Sequence, residues 1–225
     1  GNLMRELPAL RATRVGQAPA AALAFSPDGR LVATAASAGG VAVWDAASGR
    51  SVLPPLATSD AVNDVAFSPD GRALVTAGAD GTARLWSVAT GGALLPPLRH
   101  GGAVLRAAYS ADGAMLITAG ADGIAHLWST RDGRQLTPPL RQGDAILVAS
   151  FSPDGRRALT AGRDDTARLW NTQTGAPAAP PLRHVASVEQ ARFSSDGRLV
   201  VTASLDHPAR VWDAATGRPV TPPLA

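Results

Sequence analysis

Cysteine is absent from this sequence, and lysine with it. The first absence removes disulfide staples, thiolate metal sites and cysteine nucleophiles together, and it fits a reducing compartment. The second leaves arginine as the whole basic complement, and the formal net charge is only +3. So small an excess creates no strong positive field and gives nucleic-acid binding little support. Aromatic residues are scarce at 4%: five Trp, four Phe and one Tyr. No apolar run approaches the ~18 residues that a membrane helix needs, and residues 1–14 lack the charged start and apolar stretch of a secretory signal. A soluble, cytoplasmic protein with no membrane partner is therefore expected. What is present is enough apolar material for a buried core, 45% of 225 residues. Abundant Ala and Arg without Lys suggest a GC-rich, bacterial source.

The few aromatics are placed with strict regularity. Phe25, Phe67, Tyr109, Phe151 and Phe193 stand 42 residues apart, and Trp44, Trp86, Trp128, Trp170 and Trp212 keep the same step. Two columns sharing one period over five copies, with no insertion or deletion, define an internal repeat. A repeat of this length carrying short strand-like segments matches a four-stranded propeller blade. Helical repeats of similar length need long apolar stripes of period 3.6, which are missing.

The third copy shows the unit best. Val104 to Tyr109 reads as a strand leading into the turn Ser110-Ala111-Asp112-Gly113. Met115 to Ala119 forms a second strand, and a reversal at Ala121-Asp122-Gly123 leads into a third, Ile124 to Trp128. A turn at Arg131-Asp132-Gly133 opens a fourth strand, Arg134 to Leu140. Pro138 and Pro139 assign that strand to the outer sheet edge, since proline donates nothing to a ladder. Paired prolines recur there in every copy, where they resist edge-to-edge aggregation.

These residues resemble the WD-repeat family, whose unit combines a Gly-His pair, a Ser-Pro-Asp-Gly turn, a Ser or Thr, a hairpin Asp and a closing Trp-Asp. Trp44-Asp45 and Trp212-Asp213 keep the last pair, and the match covers roughly residues 15–225. The resemblance implies an all-β propeller of five four-stranded antiparallel blades. It also implies a hydrogen-bonded tetrad of His, Ser/Thr, Asp and Trp inside each blade. Two tetrads look complete: His100, Thr118, Asp122 and Trp128, and His184, Thr202, Asp206 and Trp212. The His column otherwise holds Gly16, Thr58 and Gln142, and Ala38 replaces the Asp of repeat one, so repeat one is expected to be loosest. The outer-strand segments, Thr137 to Arg141 and Pro180 to His184, resemble propellers appended to bacterial Ser/Thr kinases and other signalling proteins.

Residues 1–14 are read as the outer strand of a preceding blade or an N-terminal extension, because Arg5 to Arg11 resembles Arg134 to Arg141. Repeat five already owns an outer strand, Arg218 to Leu224. The expectation is a segment of a larger ring, seven-bladed by the family's habit, with a self-closed five-bladed ring as the alternative. An open segment exposes the apolar faces of its terminal blades, which favours self-association.

Candidate chemistry is thin. His126 replaces Arg84, Arg168 and Arg210 of the other copies, His207 lies in a hairpin, and no second His stands at metal-ligand spacing. Asp28, Asp70, Asp112, Asp154 and Asp196 each precede Gly in the same turn, where a carboxylate caps local amides. Asp164-Asp165 is the only acidic pair, and it has no sugar platform beside it, because both aromatic columns are committed to packing. Gly-rich stretches lack the Lys of a phosphate loop. Arg30, Arg72, Arg156 and Arg198 alternate with Asp as a mixed-charge surface. No cofactor, metal or catalytic residue is expected. By resemblance, protein or peptide partners dock on the face that carries the hairpin between strands two and three and the lead-in to strand one. Its sizeable residues are Asn63, Leu105, Leu147, Arg163, Glu189 and Leu205, too few large anchors for tight binding. The alternative is an architectural or self-assembling module that positions an attached signalling domain.

Overall fold

Each repeat lays its strands down in chain order as one antiparallel sheet. The computed structural model describes residues 20–37, 39–206 and 209–224. The stretch 1–14, with Gly16, Ala38, His207 and Pro208, lies outside them. Blade one holds β1 (Ala20–Phe25), β2 (Leu31–Ala36) and β3 (Val41–Asp45). Blade two holds β4 (Val62–Phe67), β5 (Ala73–Gly78), β6 (Thr82–Ser87) and β7 (Leu98–Arg99). Blade three holds β8 (Val104–Tyr109), β9 (Met115–Gly120), β10 (Ile124–Ser129) and β11 (Leu140–Arg141). Blade four holds β12 (Ile146–Phe151), β13 (Arg157–Gly162), β14 (Thr166–Asn171) and β15 (Leu182–Arg183). Blade five holds β16 (Val188–Phe193), β17 (Leu199–Ser204) and β18 (Arg210–Asp213).

The turn chemistry sets the first reversal. In blade two Ser68 Oγ donates to Asp70 Oδ1 at 2.6 Å, and the same oxygen accepts the Arg72 N–H at 3.0 Å. Gly71, at φ +71°, supplies the left-handed residue that closes the turn. The Asp column is thereby occupied with its own turns, and hydrogen bonds from Ser are the main cause holding these carboxyls below the usual range.

The outer strand departs from expectation. Arg134 to Leu140 is not one strand: Gln135 makes a single bridge to Trp128, the chain detaches through Pro138 and Pro139, and pairing resumes at β11 with Leu140 opposite Ala125. Two residues without N–H groups cannot hold the ladder, so the edge is broken where the prolines sit. In blades one and five the outer strand shrinks to isolated bridges, Trp44 with Ser51 and Val41 with Leu56, then Trp212 with Pro219 and Ala209 with Leu224. Those two sheets are three-stranded and the middle three are four-stranded.

The core lies between sheets. One cluster joins Ala33, Ala35, Val41 and Val43 of blade one to Val65, Phe67, Leu74 and Trp86 of blade two. Equivalent clusters join blades two and three, three and four, and four and five. In each of these seams the preceding blade offers an aliphatic face forwards and the following blade an aromatic-bearing face backwards. Blade one's backward face has no described neighbour, and the aromatic column is not uniformly buried: Phe25 is 62% exposed where Phe67 is 9% exposed.

Candidate docking face and the tetrads beneath it

The hairpin joining strands two and three is fastened to the lead-in of strand one by the same bond in four blades. The N–H groups of Ala79, Ala121, Arg163 and Leu205 donate to the carbonyls of Ala61, Ala103, Ala145 and Ser187 at 2.8, 2.9, 3.0 and 3.0 Å. This puts Arg163 and Leu205 on one end of the molecule, beside the starts of the innermost strands. Each innermost strand opens with a β-bulge, and the extra residues are Ala21, Asn63, Leu105, Leu147 and Glu189. A bulge re-aims its side chain away from the pleat, so the column acquires a common setting that the sequence pattern did not disclose.

Side chains below hold this end rigid. In blade five Trp212 Nε1 donates to Thr202 Oγ1 at 2.8 Å, Thr202 Oγ1 lies 2.7 Å from His184 Nε2, and His184 Nδ1 lies 3.1 Å from Asp206. The structure brings the four residues of blade three together in the same order, with 2.7 Å for both Trp128–Thr118 and His100–Thr118. Its last link is open: His100 Nδ1 is 3.7 Å from Asp122 and has no hydrogen-bond partner. Asp122 accepts the N–H groups of Gly101 and Ile124 instead, at 3.0 and 3.1 Å. The neighbouring strand supplies a reason. Arg84, Arg168 and Arg210 grip the hairpin Asp of their blades at 2.8, 3.1 and 3.5 Å, whereas blade three has His126, stacked edge-on to His100 at 4.6 Å. Burial, with the His126 charge next, pulls His100 down to about 4, and burial lowers His126 as well.

Blade four contains a third closed set that counting histidines missed. Trp170 donates to Thr160 at 2.9 Å, Thr160 donates to Gln142 Oε1 at 2.7 Å, and Gln142 Nε2 donates to Asp164 at 2.8 Å. An amide carries an acceptor and a donor at its two ends, as a neutral imidazole does, and that property was visible in the sequence. Blade two keeps Trp86–Thr76 at 3.1 Å, but Thr58 turns away to accept the Gly40 N–H at 2.7 Å. Asp80 there is held by Ser59, Thr82 and Arg84, and these hydrogen bonds outweigh partial burial and bring it down to about 2. In blade one only the Trp44–Thr34 bond, 2.8 Å, remains among described residues.

The docking candidates are unequal. Asn63 donates its amide to Val104 O of the next blade at 2.8 Å, and Glu189 accepts from Ser187 Oγ at 2.8 Å, so both are partly committed to the scaffold. Leu105 and Leu147 are half-buried, while Arg163 and Leu205 are exposed. Val185, 81% exposed, stands beside Leu205 because its N–H is held by Asp206 at 3.0 Å. It replaces the Gly that follows His100 and Gln142, and that substitution was the overlooked signal. The acidic pair is committed locally: Asp164 belongs to its tetrad, and Asp165 sits in the hairpin at φ +62° where Gly81 and Gly123 stand elsewhere. Among the described residues no three His, Asp or Glu side chains converge as metal ligands.

Stacked antiparallel sheets tied by buried polar sets, with a hairpin face above them, define a repeat scaffold of the propeller class. A family model described as WD domain, G-beta repeat matches residues 12–45, 53–87, 95–129, 140–171 and 182–213, well over half of the chain. The protein belongs to the WD40 repeat family, whose domains are generally non-catalytic and commonly bind proteins. No individual curated protein matches it.

Proposed function

We propose that this chain is a platform that holds protein or peptide partners on the hairpin face, and that it performs no catalysis itself. The observation that carries the reading is the fastening of four hairpins to four bulged lead-ins by one repeated backbone bond. A face fixed in advance costs little ordering on binding. Leu105, Leu147, Arg163 and Leu205 are its anchors, joined by Val185, and Asn63 and Glu189 act mainly as supports. The face lacks Trp and Tyr, so single contacts are weak and useful affinity comes from avidity. The outer-strand resemblance supports a module attached to a signalling enzyme in a bacterial cytoplasm. Peptides selected from a displayed library on the native chain test this. Their binding should fall on Leu147→Asp with Arg163→Glu and survive Arg156→Glu at the opposite end. Equal loss in both variants, or none in the first, rejects the placement.

A second reading, an architectural module that self-associates through its terminal blades, is favoured by blade one's bare aromatic face, where Leu23 is 66% exposed and Phe25 62%. Sedimentation at rising concentration tests it: Leu23→Glu should abolish any association.

A further inference from the structure

The innermost strands of blades three, four and five line a cleft of about 560 Å³ that runs from Arg106 and Leu147 at the hairpin end to Pro153 and Ser195 at the other. That is within the ~300–1,000 Å³ of small-molecule sites. Three residues in its wall depart from near-uniform columns of the repeat, and a fourth, Arg106, comes from a column with no common residue. Arg192 stands where the other copies have Ala24, Ala66, Ala108 and Ser150. Arg106 is the one cation in a column reading Ala22, Asp64, Val148 and Gln190 elsewhere. Ser150 is the one hydroxyl among the alanines of its column, and Tyr109 the one hydroxyl in the phenylalanine column. Departures from near-uniform columns that line one cleft together with an unmatched cation point to a site there.

Their chemistry agrees. No Asp or Glu is among the described residues that line the cleft. Arg106 is fixed across the seam between blades by donating Nε to Leu147 O at 2.8 Å and one terminal nitrogen to Leu105 O at 3.1 Å, which leaves further N–H donors free. Arg192 is exposed on the far wall. The hydroxyls of Tyr109 and Ser150 are both buried without a hydrogen-bond partner. A buried unpaired hydroxyl costs stability, and neither is required by the fold, because Phe and Ala serve in the equivalent positions. The rest of the wall is mixed: Val148, Phe151 and Phe193 are its large apolar members, and Ser152, Gln190, Ser194 and Ser195 add neutral polar groups.

We propose that this cleft binds a small organic oxyanion, with the anionic group held between Arg106 and Arg192 and the apolar body against the blade-four strand. Guanidinium groups match the planar oxygens of carboxylate and the oxygens of phosphate alike, so the two are separate arms of the test. The site meets the hairpin face at Leu147 and extends away from it along the innermost strands.

The full chain is titrated by calorimetry and ligand-observed NMR with 2-naphthoate, phenyl phosphate and neutral 2-naphthamide. At least one anion should bind, with the amide weaker by about tenfold or more, as loss of a charge-assisted bond implies. Arg192→Ala, Ser150→Ala and Tyr109→Phe install residues already present in other blades, so they should fold, and the last two should raise the melting temperature. Arg192→Ala and Arg106→Gln should each weaken anion binding about tenfold, and the hydroxyl deletions should weaken it by a smaller factor. Arg156→Gln should leave it unchanged. Three results each overturn the proposal: neither anion binds, the amide binds equally well, or binding is indifferent to Arg106 and Arg192.

Discussion

At the scale of single residues, the two imidazoles of blade three are the most informative groups. His100 is buried beside His126 and held down to about 4, well below its ordinary value near 6.5. The unfolded chain therefore binds more protons than the folded one between those limits. Stability from this residue is complete above about pH 6.5 and is lost as pH falls towards 4, by an amount on the order of 2 kcal/mol. His126, lowered by burial in the same way, adds to the loss. Replacing His100 with Gln copies the closed set around Gln142, so His100→Gln should unfold in urea with a midpoint that changes less between pH 7 and pH 4.5 than the native protein's. A parallel pH dependence in both proteins contradicts the assignment. The hairpin aspartates supply a second test. Sequence reasoning expects Asp80→Ala to be milder than Asp122→Ala, because Thr58 replaces the histidine. Ser59, Thr82 and Arg84 instead surround Asp80, so both variants should cost about 1–3 kcal/mol in denaturant unfolding. Asp165→Gly should gain about 0.5–1 kcal/mol by relieving the left-handed backbone at φ +62°.

At the scale of elements, the legible and the illegible parts separate by their cause. β8, β9 and β10 were readable to within a residue, because alternating apolar positions bounded by Asp-Gly turns leave one register that buries the right face. The outer strand was misread, since a proline pair marks an edge but does not say that the ladder breaks around it. The bulges carried no signal, for the bulged residues, Ala21, Asn63, Leu105, Leu147 and Glu189, follow no common residue type. The tetrad in blade four was missed because its histidine is replaced by a residue of equivalent bonding and different name. Blade one combines these effects. Among the described residues it keeps one tetrad bond and a three-stranded sheet, and β1 is largely exposed. Its amides should therefore exchange fastest. Hydrogen exchange should find β2 and β3 less protected than β9 and β10, and equal protection would show that the outer bridges at Ser51 and Leu56 suffice.

At the scale of the whole molecule, stability is carried by seams, because each hydrophobic cluster joins two consecutive sheets. A chain of this kind behaves as a line of nearest-neighbour contacts, so a weakened seam in the middle divides it. Trp44 and Trp128 separate this effect from the tetrad. Each donates to the Thr of its own second strand, at 2.8 and 2.7 Å, but Trp128 fills the seam between blades two and three while the sheet of Trp44 has no described neighbour on that face. The hydrogen bond lost on truncation is common to both, and the remaining difference is the seam. Trp128→Ala should cost about 3–5 kcal/mol, and Trp44→Ala distinctly less. Trp128→Ala should also split a single denaturant transition into two, as blades one and two come apart from three to five. A single sharp transition in that variant, with the same midpoint shift as Trp44→Ala, would mean that the strands within each sheet, and not the contacts between sheets, hold the molecule together.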